Sequence, residues 1–294
     1  MRVLVTNDDG IESPGLTVLA EAALAAGHEV VVAAPHRQYS GASAALTAQE
    51  ADGQLVFVDK RPPGLPAEVH AFGVKAAPGL IGFVASFGAF GDKPDIVMSG
   101  INLGANTGKA ILHSGTVGAA LSASSHGIRA MAVSIASGDP QHWDTARRVT
   151  DEALAWLVDQ PVDDRVLNVN VPDIAPDRLR GIRPAGLASF GAVQARVKEL
   201  GTGYVQMSYT GVDAEDEPGT DHYLLARGWA TLTMLRAPVE DASGVTLPRI
   251  DGTQSAAEGR EGEPLVDVAT GTVMSTSSDR PSGEINHDEG DAPV

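Results

Sequence analysis

The first 35 residues alternate between extended and helical patterns, and this alternation constrains the fold more than any other feature of the sequence. Residues 2–7, RVLVTN, form the short, apolar, β-branched run that is typical of a buried parallel strand. Residues 14–27 carry leucine and alanine at helical spacing, with Pro14 in the first turn and Gly27 at the end. Because a second apolar run follows at residues 28–35, the sequence predicts a strand–helix–strand unit.

The same alternation continues to residue 172. It predicts helices at residues 78–90, 114–127 and 143–160, and strands at 94–102, 130–137 and 165–172, with later strands at 203–211 and 229–238. We therefore expect an α/β fold: a three-layer α/β/α, Rossmann-like arrangement around a mostly parallel sheet. Antiparallel strands or hairpins are expected in the C-terminal half.

Charge is unevenly distributed along the 294 residues, whose formal net charge is −17. From residue 249 onward there are ten acidic residues against three arginines and no aromatic residue. A segment of this composition cannot bury enough apolar surface to fold by itself. The sequence thus predicts a folded domain at residues 1–248 and an acidic, disordered tail at 249–294.

Composition also excludes several functions. The negative charge argues against binding a nucleic-acid polymer, which requires many Lys and Arg residues to neutralise phosphates. The chain has no cysteine, so disulfides, thiolate metal sites and cysteine nucleophiles are excluded. No run approaches the roughly 20 apolar residues of a membrane helix. We expect a cytoplasmic protein without a membrane partner.

Polar clusters follow three of the predicted strands, where open α/β sheets bind ligands. Asp8 and Asp9 end the first strand, Ser40 lies after the second, and Asn102 ends the third. Two adjacent carboxylates form either a solvated turn or a cation site, and taken alone the pattern does not choose between them. Oxygen donors without Cys or His suit Mg²⁺, Mn²⁺ or Ca²⁺.

The string Ser114–Gly115–Thr116 opens a predicted helix. Ser114 is a good N-cap, which is sufficient to explain it, but a helix N-terminus also attracts phosphate. His113, next to Ser114, is a candidate acid or base, although a histidine in a loop is more often simply solvated. Lys109 is better explained as an exposed residue than as a phosphate ligand.

Six strings in chain order resemble the SurE family (survival protein E), which are metal-dependent 5′-nucleotidases. They are VTNDDGIESPG, PHRQYSG, KPDIVMSGINLGANTG, HSGTVGAA, VLNVNVP and GTDHYLLARGWATLT, and they extend over nearly all of the predicted folded part. The resemblance implies a phosphomonoesterase that hydrolyses nucleoside 5′-monophosphates to nucleoside and phosphate. It also implies one divalent metal ion per subunit, Mg²⁺ or Mn²⁺, and assembly as a homodimer or homotetramer.

The resemblance assigns site residues as well. It implies that the metal is held by Asp8, Asp9, Ser40 and Asn102. Our mechanistic hypothesis makes Asp8 and Asp9 the catalytic residues as well, since one of them is the default acceptor of the attacking water's proton, with His113 as an outside candidate. It implies that the phosphate position is lined by Asn106, Ser114, Gly115 and Thr116.

Two departures from the family pattern keep an alternative open. FGVKAAPGLI replaces a string that usually contains an aspartate, and His113 stands where the family usually has a tyrosine. Because of the altered AAPGLI region, a catalytically silent nucleotide-binding module on the same fold is the second hypothesis. A glycosyltransferase-like enzyme with a diphosphate donor would explain an acidic metal site but not HSGTVGAA.

Overall fold

The computed structural model describes residues 1–51, 53–189, 193–201, 204–211, 217–236 and 238, together with 266–267 and 272–273. The helices are α1 (Pro14–Ala25), α2 (Pro78–Ala85), α3 (Gly115–Ser124), α4 (Trp143–Val158) and α5 (Asp221–Leu225), with 3₁₀-helices at Gly108–His113 and Pro176–Arg178. The strands are β1 (Arg2–Thr6), β2 (Glu29–Pro35), β3 (Glu50–Ala51), β4 (Gln54–Leu55), β5 (Phe57–Val58), β6 (His70–Val74), β7 (Ile96–Leu103), β8 (Arg129–Ile135), β9 (Arg165–Val171), β10 (Ile182–Pro184), β11 (Val193–Gly201), β12 (Tyr204–Gly211), β13 (Ala230–Arg236), β14 (Val266–Asp267) and β15 (Thr272–Val273).

Among the described residues, nine strands form one sheet in the order β10-β13-β9-β8-β7-β1-β2-β6-β5. The six central strands, from β9 to β6, are parallel to one another. Near the edges β13 pairs antiparallel with β9, and β5 pairs antiparallel with β6. Strands β11 and β12 form a separate antiparallel pair. The predicted fold class, a mostly parallel α/β sheet with antiparallel additions, is confirmed.

Helices cover both faces of this sheet. Because side chains alternate along a strand, Val3 and Val5 of β1 enter one core with Leu16 of α1, while Leu4 enters the other core. The first core also contains α4, and the second contains α2 and α3. This is the expected three-layer arrangement, and it leaves the carboxyl ends of the parallel strands together at one edge.

Several elements differ from the sequence prediction, among them the short strands and α5, which were not predicted, and two of the differences are instructive. Helix α2 ends at Ala85 rather than at residue 90, because Gly88 adopts a left-handed conformation (φ +82°) and its N–H bonds to the Ala85 carbonyl. Strand β6 was not predicted, because HAFGV contains a histidine and a glycine and lacks a clear apolar run. It forms by pairing with the otherwise open side of β2.

Residues 1–239 form one compact unit, and residues 240–294 are assigned to a second. The predicted acidic tail, 249–294, lies outside the described residues except for β14 and β15, which pair antiparallel with each other. Of the helices that the structure describes, none combines the length and the apolar character needed to cross a bilayer.

Candidate functional site

The first cluster begins with a turn that the Asn7 side chain closes. Asn7 is fully buried; its Oδ1 accepts a hydrogen bond from the Gly10 N–H (3.1 Å), and its Nδ2 donates to the Gly10 carbonyl (3.0 Å). Gly10 has φ +104°, a conformation that glycine adopts readily. The turn directs the two intervening aspartates toward different neighbours.

Asp8 is buried against the beginning of α3. Its Oδ1 accepts a hydrogen bond from the Thr116 hydroxyl at 2.5 Å, and only 4% of the residue is exposed. A Cβ at Gly115 would lie 2.7 Å from the Asp8 Cβ, so only glycine allows the helix to approach this closely. The carbonyl of Asp8 accepts the Tyr39 N–H at 2.7 Å, which ties the loop after β2 to the same turn.

Asp9 is half-buried and lies between two loops. Its Oδ2 accepts the Leu103 N–H at 3.0 Å, and its Oδ1 accepts from Gln38 Nε2 at 3.5 Å. Leu103 directly follows Asn102, while Gln38 comes two residues before Ser40. Asp9 therefore contacts both of the segments from which the sequence predicts neutral metal ligands.

The negative charges of Asp8 and Asp9 lie close together and are partly buried, so their ionised forms need a compensating positive charge. Burial raises the pKa of Asp8 above its usual range, although the Thr116 hydroxyl and the N–H groups of Thr116 and Gly115 oppose the rise. Burial also raises the pKa of Asp9 to about 6; the Leu103 N–H opposes this, and repulsion from Asp8 adds to it. Within the described residues no Lys or Arg forms a salt bridge with either carboxylate.

Asn102 directly precedes Leu103, whose N–H donates to Asp9, and its side chain carries an amide oxygen. Its Nδ2 donates to the Gly104 carbonyl at 2.7 Å, which leaves Oδ1 as the atom able to act as an acceptor. The described residues contain no cluster of three or more His, Cys, Asp or Glu side chains suited to a metal. Carboxylate and amide oxygens are the donors that hard divalent cations such as Mg²⁺ and Mn²⁺ prefer, whereas zinc favours Cys and His.

Ser40 lies on the exposed loop after β2. It follows Tyr39, whose backbone is bonded to Asp8, but its own side chain is exposed. The structure thus brings the Ser40 backbone close to the turn, and within the described contacts its hydroxyl has no hydrogen bond. Its predicted role as a metal ligand stays a prediction.

The beginning of α3 holds the residues that were predicted for phosphate. Ser114 caps the helix, because its Oγ accepts the Val117 N–H at 3.1 Å, and its hydroxyl hydrogen is not used in that contact. Gly115 and Thr116 contact Asp8, as described above. His113 is exposed, and its carbonyl accepts the Ser43 N–H at 3.3 Å. Lys109 is also exposed.

Asn106 is held by a group of buried amides that the sequence analysis did not single out. Its backbone N–H donates to Asn170 Oδ1 (2.8 Å), and its carbonyl accepts from Asn168 and Asn170 Nδ2 (both 2.9 Å). Its own Nδ2 donates to Ser134 Oγ at 2.8 Å. The signal was present in VLNVNVP: two asparagines two residues apart lie on one face of an otherwise apolar strand.

Asp221 fixes the end of the same loop. This fully buried carboxylate accepts three backbone N–H groups, from Gly108 (2.9 Å), Ala188 (3.0 Å) and His222 (2.8 Å). It therefore links the loop after β7 to the segment before α5. Its sequence signals are its place in the string GTDHYLLARGWATLT and its position after Thr220, which caps α5 through the Tyr223 N–H.

Comparisons with known proteins agree with this architecture. The family described as survival protein SurE matches residues 3–193. A Methylococcus capsulatus protein named 5′-nucleotidase SurE is 36% identical over 264 residues, covering 84% of this chain and 98% of its own. A Stenotrophomonas maltophilia protein of the same name is 35% identical, covering 80% of this chain and 90% of its own. The crystal structure of the SurE protein from Aquifex aeolicus superimposes with a TM-score of 0.65 at 26% identity, covering 82% of this chain and 95% of that one. The chain belongs to the survival protein SurE family.

Proposed function

We propose that this protein is a metal-dependent 5′-nucleotidase that hydrolyses nucleoside 5′-monophosphates to nucleoside and phosphate. The observation that carries the proposal is the Asp8–Asp9 pair. Asp8 is buried against the N-terminus of α3, Asp9 is half-buried beside it, and within the described residues neither carboxylate has a salt-bridge partner. Relatives covering most of the chain bear the name 5′-nucleotidase SurE, which supports the reaction class.

The donor set supports a magnesium or manganese ion. Asp8, Asp9 and the Asn102 amide oxygen would hold it, with Ser40 as a further neutral ligand from the exposed loop. Two carboxylates would balance the charge of one divalent ion. When bound, such an ion polarises a phosphoryl oxygen and stabilises the charge that develops on it.

The chain's own residues bind and orient the phosphate. The Ser114 hydroxyl can donate to a phosphoryl oxygen, because its only described contact uses the oxygen as acceptor. The positive end of α3 favours an anion at this place, and it also supports the ionised form of Asp8. These local interactions attract an anionic substrate although the protein as a whole is strongly acidic.

Phosphate release tests the proposal directly. Purified protein is incubated with AMP, GMP, CMP or UMP in Mn²⁺, in Mg²⁺ or in excess EDTA, and inorganic phosphate is measured. We expect release with at least one metal, none in EDTA, and recovery when the metal is restored. Undiminished release in EDTA would contradict the metal dependence.

The same experiment separates the alternatives. Binding of nucleotide without turnover under every metal condition would favour the catalytically silent module. Turnover of 3′-monophosphates but not of 5′-monophosphates would retain the phosphatase class and change the substrate.

The proposal includes a cytoplasmic enzyme that works as a homodimer or homotetramer. The lack of cysteine is compatible with a reducing compartment. Light scattering coupled to size-exclusion chromatography distinguishes the two assemblies from a monomer, which would contradict this part of the proposal.

A further inference from the structure

A cavity of about 500 Å³ lies beside the loop that carries Asn102. Its walls come from the segments that follow β7, β8 and β9, and from α5. Residues that line it are Gly104, Ala136, Pro172, Ile174, Leu225 and Ala226. The cavity therefore opens at the carboxyl edge of the parallel strands, where open α/β sheets bind ligands. Its volume falls within the range of small-molecule sites, about 300–1,000 Å³.

One hydrogen bond joins this cavity to the candidate metal site. Gly104 lines the cavity, and its carbonyl accepts the Asn102 Nδ2 hydrogen bond at 2.7 Å. The Gly104 N–H donates to the Ile135 carbonyl at 2.9 Å, which fixes the shared wall to the end of β8. A substrate whose phosphate lies beside Asn102 can therefore extend into this cavity across the Gly104 wall.

The lining suits a flat ring with a polar edge. Most of the wall is apolar, from alanine, proline, isoleucine and leucine side chains. Asp173 supplies a carboxylate whose oxygens accept the N–H of Gln141 (3.1 Å to each oxygen) and of His142 (2.8 Å). An ionised carboxylate has about four acceptor positions, so Asp173 can also accept a hydrogen bond from a ligand.

We propose that this cavity binds the nucleoside part of the substrate, and that Asp173 accepts a hydrogen bond from a sugar hydroxyl or a base amino group. The inference rests on the proposed nucleotidase function, because that function supplies the phosphate that places the ligand. It assigns selection of the substrate to residues after β8 and β9, away from Asp8 and Asp9.

Two variants that fill the cavity from different walls test this assignment. Ala136→Trp and Ala226→Trp each place an indole in the cavity, and both alanines are exposed, so the folded core is left intact. Ala26→Trp, at the exposed end of α1, is the matched control. We expect KM for AMP to rise at least tenfold in both cavity variants with kcat within about twofold, while inhibition by inorganic phosphate stays unchanged. Calorimetric binding of adenosine, which carries no phosphate, should weaken by a similar factor.

The outcomes distinguish this inference from the proposed function. If wild-type protein hydrolyses AMP but both cavity variants retain its KM and bind adenosine normally, the cavity assignment is wrong and the nucleotidase proposal stands. If adenosine binds wild type and not the variants, but no monophosphate is hydrolysed, the cavity assignment stands and the proposed reaction is wrong. Equal loss of phosphate inhibition and of AMP affinity would show general damage to the site and would also overturn the assignment.

Discussion

The two segments that meet at Asp9 are held in very different ways. The segment from Asn102 to Gly108 donates the Leu103 N–H to Asp9 at 3.0 Å and is fixed by buried side chains of β9 and α5. Among the described contacts, the segment from Arg37 to Gly41 contacts the Asp9 side chain through Gln38 alone, at 3.5 Å, and most of its side chains are exposed. One carboxylate thus has a firm hydrogen bond on one side and a marginal one on the other.

This difference indicates that the segment from Asn102 to Gly108 is preorganised, whereas the loop after β2 can adjust. Asn106 is bonded to two fully buried asparagines, and we expect this network to hold its loop in place before a ligand binds. The loop after β2 is anchored by its backbone, through Tyr39 to Asp8, while the Ser40 side chain keeps its rotational freedom. We expect the first segment to determine the rate and the second to adjust the affinity for the metal.

The largest effect is expected at Asp8, the buried carboxylate that contacts the beginning of α3. Asp8→Asn removes one of two carboxylates from the proposed cation site and should lower kcat/KM about 10³-fold, equivalent to several kcal/mol of transition-state stabilisation. Phosphate release from AMP at saturating Mn²⁺ measures this. Asp92→Asn, which changes an almost fully exposed aspartate, is the control and should retain full activity. Retention of most activity in Asp8→Asn would sink the proposed site.

The next effect tests how the segment from Asn102 to Gly108 is held in place. Asp221→Asn replaces a carboxylate that accepts three N–H groups with an amide that offers only one oxygen, so Gly108 or Ala188 is left without its acceptor. We expect kcat to fall about 10–100-fold, as for residues that orient metal ligands, and the free energy of unfolding to fall by about 1–3 kcal/mol. Activity assays at temperatures below the melting transition separate the loss of kcat from the loss of stability. Asp177→Asn, which changes an exposed aspartate, is the matched control. An unchanged kcat in Asp221→Asn would show that Asp221 does not position the loop for catalysis.

A smaller effect concerns pH and the metal-free protein. The folded-state pKa of Asp9 is about 6, above its unfolded value, so the folded state binds the proton more tightly between about pH 4 and 6. That contribution to stability is present at low pH and is lost as pH rises through 6. In EDTA at pH 7, Asp9→Asn should therefore melt roughly 3 °C above wild type, on the order of 1 kcal/mol.

The gap in melting temperature should close at pH 5, where Asp9 of the wild type is largely protonated. Excess Mn²⁺ at pH 7 should reverse the order, since only wild type keeps both carboxylates for the cation. A constant gap from pH 5 to 7 would show that the charge of Asp9 is not what destabilises the metal-free protein.

The smallest effect is expected in the exposed loop. Ser40→Ala removes a neutral oxygen whose side chain is already exposed, so the Mn²⁺ concentration for half-maximal activity should rise only about threefold, with kcat nearly unchanged. Gln38→Ala, which loses a 3.5 Å contact, should change this value still less. If Ser40→Ala lowered kcat as strongly as Asp221→Asn, the contrast between the two segments would be wrong.

Much of the fold was predictable because parallel strands flanked by helices leave strong local patterns. The strands β1, β2, β7, β8 and β9 and the helices α1, α3 and α4 were predicted to within a few residues. The buried side chains that hold the loops in place were not predicted. Asp221, for example, contacts Gly108 from 113 residues away in the sequence, and no local pattern indicates that pairing. Strand β6 was missed for a similar reason: its partner, rather than its own composition, makes it a strand.

The candidate site was predictable in its residue types and only partly in its contacts. The sequence indicated that Asp8, Asp9, Asn102 and the beginning of α3 belong to one edge of the sheet, and the structure places Asp8 against Thr116 and Asp9 against Leu103. The two asparagines of β9 are visible in the sequence, but the sequence does not indicate that they bond to Asn106. The cavity beside Gly104 was also unforeseen, because its walls come from four separate segments.

The close approach of Gly115 to Asp8 has a consequence for how such a protein can diverge. A single added methyl at position 115 would overlap the carboxylate, so inheritance of any other residue there requires Asp8 to move as well. Ala136, at the rim of the cavity, has no such constraint and can change in size alone. Under the proposed assignment of the cavity to the nucleoside, substrate preference can change through substitutions such as those at Ala136, while position 115 and Asp8 can change only together.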